Sequence, residues 1–196
     1  MRRVLRTAVL MLLSMSVLTG LAYPLVLTGV IDAALPGRAH GSLVRADGRV
    51  VGSALIAQPF LDSAGRPLPQ YFQPRPSAVH YDAMASGGSN LGPSNPALLA
   101  ATRRRVAAYR ALNGLAPGTP VPSDAVTTSG SGLDPDISIA NADLQAARVA
   151  RARHLPLATV RGLIARATQP RWLGILGEPV VNVLELNVSL DRLTRR

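Results

Sequence analysis

The sequence contains neither cysteine nor lysine. The first absence excludes disulfides, thiolate metal sites, a cysteine nucleophile and a lipid anchor on cysteine. The second makes all 21 basic residues arginines and removes both a Walker A lysine and a Schiff-base lysine. A lysine-free chain rich in Ala, Arg, Gly and Pro reads as the coding bias of a GC-rich genome, since arginine keeps its charge in most surroundings. Histidine is also scarce. His40, His80 and His154 have no zincin spacing and no second histidine at i+3 or i+4, so each reads as a surface or loop residue. The chain's 196 residues suffice for one domain and an extra segment.

The net charge of +10 invites a nucleic-acid reading, but its distribution argues against one. Arg2, Arg3 and Arg6 precede an apolar segment, and from Asp32 onward 18 arginines are set against 11 acidic residues. Only Arg103-Arg104-Arg105 forms a dense cluster, with few aromatics near it to stack bases. A surface for acidic partners, lipid headgroups or another subunit is the preferred reading.

Thr7 to Ile31 carries no charge. As a helix it spans about 37 Å, enough for a hydrocarbon core of about 30 Å. The three arginines before it place the N-terminus in the cytoplasm. The expected organisation is therefore a cytoplasmic N-terminus over 1–6, a single transmembrane helix over 7–31 and an extracytoplasmic domain over 32–196, in the plasma (inner) membrane. The alternative is a cleaved signal peptide, with Gly20-Leu21-Ala22 offering the small residues of a cleavage site. Apolarity continues to Ile31, further than a signal peptide requires, and favours a retained anchor. With no second comparable span, the chain alone forms no channel or transporter.

In the remainder, Asp47-Gly48 marks a hairpin turn between apolar runs within Gly41–Gln58. Gln58 to Pro76 reads as an ordered loop, and Pro74 and Pro76 stiffen the path around Arg75. Ser86 to Asn95, SGGSNLGPSN, is a turn-forming run whose Gly87 and Gly88 permit a tight path. It ends in a helix start, with Asn95 as N-cap and Pro96 at the first position. That helix should run to Asn113, stop at Gly114, and turn Leu99, Val106, Tyr109 and Leu112 to one face. A second helix over 139–153, capped by Asp136 or Ser138, has Ala142, Ala146, Val149 and Ala150 as its small-residue face. A third covers 157–167. Val180 to Leu186 is β-rich, and Asn187 can cap a short last helix. Helices and strands mix without a βαβ rhythm, so the fold class is α+β.

The stretch VTTSGSGLDPDIS, Val126 to Ser138, resembles several functional loops without matching one. Ser131, His80 and Asp134 could be imagined as a triad, but Ser131 lies in S-G-S-G-L and not in G-x-S-x-G. The calcium-loop pattern fails for want of its glycine and closing glutamate. Gly130 and Gly132 could present N–H groups to an anion at a helix start, yet Asp134 and Asp136 would repel a phosphate there. Those carboxylates are expected to cap the following helix, making Ser129–Asp136 a structural loop that shapes a docking surface.

Five segments, YFQPRPSA, SGGSNLGPSNP, VTTSGSGLDPDIS, QAARVARAR and VNVLELN, follow one N-terminal span in this order. In this the chain resembles the KdpC family, the C subunit of the Kdp-type potassium-transporting P-type ATPase, over essentially its whole length. The resemblance implies a complex with a channel-like potassium-binding subunit, a P-type ATPase subunit and a small membrane peptide, and no nucleic-acid partner. It implies a subunit needed for assembly and activity, without a hydrolytic site, acting as a catalytic chaperone that raises the ATP affinity of the ATPase subunit. No cofactor is expected to be tightly bound, with ATP reached through the ATPase subunit. An exported domain does not meet cytoplasmic ATP, so an allosteric effect is the reading preferred. If nucleotide contact occurs, Gln145 and Arg148 are the first candidates, their alternative being a helix surface pair. Arg75, Ser77, Gly87, Gly88, Asn90, Asn95, Ser129, Gly130, Gly132 and Asp134 are the candidate docking-loop residues. The competing functions are an independent membrane-anchored or secreted binding protein and an exported hydrolase.

Overall fold

A computed structural model describes residues 1–194; Arg195 and Arg196, the end of the expected domain, lie outside the described residues. Two compact units emerge, residues 1–43 and the chain from Val44 onward.

The first unit contains an unbroken helical rod of 33 residues, Arg2–Ala34, in which an 18-residue stretch has mean hydropathy 2.0 and no buried residue. It outruns the uncharged segment at both ends, because nothing in the flanking residues stops a helix before Leu35 turns to φ −140°. The rod is built from α1 (Arg2–Val17), a π-helical turn (Leu18–Ala22) and α2 (Tyr23–Ala34). Pro24 explains the π turn. Its ring would clash with the carbonyl four residues back and it has no N–H to donate, so the chain widens by one residue and Tyr23 N–H bonds Leu18 O. A short helix α3 (Pro36–Ala39) follows.

The second unit opens with a hairpin of β1 (Leu43–Ala46) and β2 (Arg49–Ser53). Its turn is Asp47-Gly48, both left-handed at φ 50° and 74°, the geometry that matches strand twist. Residues 54–95 contain no helix or ladder beyond an isolated bridge between Leu61 and Pro67. Helix α4 (Pro96–Asn113) starts as expected, with Asn95 Oδ1 accepting from Ala97 N–H at 2.9 Å, and closes on Gly114 at φ 66°. Its inner face begins at Leu98, since Leu99 is exposed.

After a 3-10 turn (Ser123–Ala125) come β3 (Asp136–Ser138), α5 (Ile139–Ala152), α6 (Leu157–Ala167), β4 (Thr168–Gln169), β5 (Val180–Asn182) and α7 (Val183–Thr194). The strands form an antiparallel sheet in the order β3-β5-β4, with Ile137 and Thr168 both opposite Val181. Strand β5 is shorter than the β-rich run suggested. The helix takes over at Val183 because Asn182 Oδ1 accepts the Glu185 N–H at 3.1 Å. Asn187, expected as that helix's cap, lies inside α7 and is buried.

The core gathers Ala142, Ala146 and Val149 of α5, Val160 and Ile164 of α6, Leu186 and Leu190 of α7, and Ile137 and Val181 of the sheet. Phe72 joins them from the irregular segment, fully buried. The small face of α5 read from the sequence is therefore the face on which the domain closes. The fold is α+β, with one apolar helix preceding it.

Candidate functional site

The expected docking loops fold onto one another. Gly87 N–H donates to Ser131 O at 2.7 Å, the Ser86 hydroxyl reaches the same oxygen, and Ser129 N–H donates to Pro76 O at 3.2 Å. Arg75 Nη1 lies 2.9 Å from Asp134 Oδ2 in a half-buried ion pair. Ser77 Oγ accepts from Val79 and Tyr81 N–H groups, and Tyr81 Oη donates to Arg75 O.

Gly132, at φ 70°, is where this packing tolerates no side chain. A Cβ there would stand 2.6 Å from Val79 Cγ2 and 2.7 Å from Gly87 O. Gly130 differs: its own Cβ would meet open space, and its part is to bring its carbonyl within 3.0 Å of where a Gly88 Cβ would stand. Asn90 is exposed with φ 52°, and Asn95 is occupied as the α4 cap.

The carboxylates do not cap α5. Asp134 Oδ1 accepts from Asp136 N–H at 3.1 Å, and Asp136 pairs with Asn182 Nδ2. Burial, with Asp134 and Glu185 nearby, raises the Asp136 pKa against the opposing hydrogen bond from Asn182. Ser138 is the cap, its Oγ accepting from Asn141 N–H at 3.1 Å. Asp124 completes that end: it accepts from Ser138 N–H, the Ser138 hydroxyl and Asn141 Nδ2, each at 2.9 Å. A residue fourteen positions upstream gave no sequence signal for this role.

A buried polar network runs along α5 from that end. Asn141 Oδ1 accepts from Tyr109 Oη at 2.8 Å and Gln145 Nε2 at 2.9 Å. Gln145 grips Gln73 on both sides, Oε1 accepting from its N–H and Nε2 donating to its carbonyl. Arg148 donates to Asn113 Oδ1, Gln145 Oε1 and the carbonyls of Pro69 and Tyr71. On α7, Asn187 clamps Phe72 in the same way, with both bonds at 2.9 Å. Arg153 Nε reaches Gln70 O, and its guanidinium lies 4.7 Å from the Tyr71 ring centroid. Amide and guanidinium side chains thus supply the partners that a neighbouring strand would otherwise give segment 69–73.

Gln145 and Arg148 are therefore interior residues, 1% and 4% exposed. All four hydrogen-bonding positions of Gln145 are used within the chain. Burial lowers the Arg148 pKa to about 10, which leaves it cationic at neutral pH. Asn141, Gln145 and Arg148 recur at i, i+4 and i+7, a helical stripe about 120° round from the alanines, which by spacing alone is indistinguishable from a solvated face.

Beside the network lies a cavity of about 370 Å³ between the proline-rich segment and helices α4 and α5, lined by Pro74, Pro76, Tyr81, Tyr109, Asn141 and Gln145 among others. Burial raises the pKa of both tyrosines, so both stay neutral. Another cavity of about 390 Å³, bordered by Arg166, Glu185 and Arg192, contains none of the expected site residues. Among the described residues no group of three or more His, Asp or Glu side chains could hold a metal ion.

Comparison with known proteins adds a family match. The family model described as KdpC, K+-transporting ATPase, c chain, matches residues 5–192. A protein of Sorangium cellulosum named Potassium-transporting ATPase KdpC subunit is 57% identical over 190 residues, covering 95% of this chain and 96% of its own. Proteins of the same name from Mycobacterium tuberculosis and Methylibium petroleiphilum are each 53% identical. The first covers 98% of this chain and 100% of its own, the second 97% and 98%.

Proposed function

This chain belongs to the KdpC family, the c chain of K+-transporting ATPases, and on that premise we propose that it is the accessory, non-hydrolytic subunit of an ATP-driven potassium uptake complex. The observation that carries the reading is similarity over the whole length, anchor and domain together. The apolar helix Arg2–Ala34 holds the chain in the membrane, with the arginines at its start in the cytoplasm and the domain outside. The partners are a channel-like potassium-binding subunit, a P-type ATPase subunit and a small membrane peptide. The interlocked loops around Arg75–Asp134 and Gly87–Gly132 form the docking surface.

The subunit raises the ATP affinity of the ATPase subunit by allosteric coupling, of about 1–3 kcal/mol, and holds no cofactor tightly. Direct nucleotide contact at Gln145 and Arg148 would have to displace the backbone of segment 69–73, which both side chains bind. Their internal roles favour the indirect route.

A tagged chain purified from native membranes under potassium limitation tests the assignment. The expected result is co-purification of two larger integral subunits and a small peptide, with potassium-stimulated ATP hydrolysis that fails when this chain is deleted. A chain that purifies alone from such membranes would support the independent binding protein instead.

A further inference from the structure

Between β4 and β5 the chain makes a protruding hairpin, Pro170–Pro179. Its tip reads Trp-Leu-Gly-Ile-Leu, where hairpin tips are ordinarily polar. Trp172, Leu173, Ile175 and Leu176 are 68%, 72%, 74% and 53% exposed. The tip is nevertheless ordered by its own backbone. Trp172 and Leu176 exchange N–H···O bonds at 2.9 and 3.0 Å, Gly174 N–H donates to Arg171 O, and Ile175 N–H to Trp172 O. Leu173 and Gly174 turn the chain at φ 52° and 78°.

We propose that this hairpin is an interfacial anchor, its tip from Trp172 to Leu176 entering the headgroup–acyl boundary of the bilayer that holds the N-terminal helix. Four observations choose lipid as the occupant. The tip offers large apolar groups and, between Arg171 and Glu178, no polar side chain except the indole N–H; a protein interface ordinarily mixes polar contacts into its apolar centre, whereas lipid demands none. Its backbone N–H groups at Trp172, Gly174, Ile175 and Leu176 are already bonded within the hairpin, which lowers the cost of leaving water for the boundary region. Tryptophan favours the membrane interface, and Arg171 and Glu178 at the base of the tip pair with one another at 2.8 Å, so the hairpin carries no uncompensated charge into the boundary. Finally, only residues 35–43 separate the helix from the compact unit. Even fully extended they reach about 30 Å, so the lipid surface is present at high effective concentration. The inference rests on the anchored reading of the N-terminal helix. It is independent of which side the domain occupies and of the subunit assignment.

Trp172 is the chain's single tryptophan, so its fluorescence reports the hairpin directly. The test is the full chain reconstituted in phosphatidylcholine–phosphatidylglycerol vesicles, compared with a Leu173→Asp/Ile175→Asp variant whose changes fall at exposed positions. Co-flotation of both proteins with the vesicles reports the helix; the Trp172 signal reports the hairpin. The expected result is blue-shifted emission, quenched by lipids brominated near the headgroup and shielded from aqueous acrylamide, with all three properties lost in the variant at unchanged melting temperature. Emission that acrylamide quenches as freely as in the variant, with no effect of brominated lipid, overturns the proposal. So does shielding that appears only after the other subunits of the complex are added, which would make a protein the occupant.

Discussion

Asp136 carries its negative charge at a cost, because burial and neighbouring acids raise its pKa in the fold. A raised carboxylate pKa means the folded state binds its proton more tightly than the unfolded state. The group is therefore least harmful below its unfolded pKa, and the penalty grows as pH rises through the folded value. Asp136→Asn keeps an oxygen for Asn182 Nδ2 and removes the charge. Its melting temperature should exceed the parent's near neutral pH and converge with it towards about pH 3, as calorimetry across that range will show. Gly132 and Gly130 give a paired test of the loop packing. Gly132→Ala places a methyl against Val79 and the Gly87 carbonyl in a left-handed conformation, and should cost about 2–4 kcal/mol in chemical denaturation. Gly130→Ala meets nothing within 4 Å and should cost far less. His154 sits at φ 54° where α5 ends, with Leu155 N–H bonding Ala150 O and His154 N–H bonding Arg151 O. This is a helix stop in which glycine is the usual residue, so His154→Gly should stabilise by up to about 1 kcal/mol.

At the scale of elements, the unusual feature is that Phe72 and Gln73 take their backbone hydrogen-bond partners from side chains. The Phe72 amide bonds Asn187 Oδ1, and the Gln73 amide bonds Gln145 Oε1. Asn187→Leu leaves both backbone groups of Phe72 buried without these partners, a loss of about 2–4 kcal/mol. Hydrogen exchange should show the Phe72 amide losing protection in that variant before the interior of α5 does. The legibility of each element follows from how local its causes are. Helix α4 was read to the residue because Asn95, Pro96 and Gly114 act on neighbouring backbone. The turn at Asp47-Gly48 was equally local. The caps assigned to Asp134, Asp136 and Asn187 failed because each carboxyl or amide found a stronger partner elsewhere: Asp134 took Arg75, Asp136 took Asn182, and Asn187 took Phe72.

For the whole molecule, the division between rod and domain has a topological consequence. Protease added to intact spheroplasts is expected to remove the domain and leave the N-terminus protected, with the exposed stretch around Arg38–Gly41 as the accessible tether. Protection of the domain until the cytoplasmic side is opened would reverse the orientation proposed here.

The sequence alone determined the apolar helix, the α+β class, the exclusions that follow from missing cysteine and lysine, and the family resemblance, because these rest on composition, run length and ordered short motifs. It also identified the alanine face of α5, since a 3.6-residue period is a local property. Only the tertiary structure decided that a second, polar face of α5 is buried too. Asn141, Gln145 and Arg148 look like a solvated stripe until residues 69–73, Asn113 and Asp124 are brought against them. The same holds for the Trp172 hairpin, whose large apolar side chains the fold leaves exposed. Burial of a side chain is fixed by what distant parts of the chain place against it, and no local pattern carries that information.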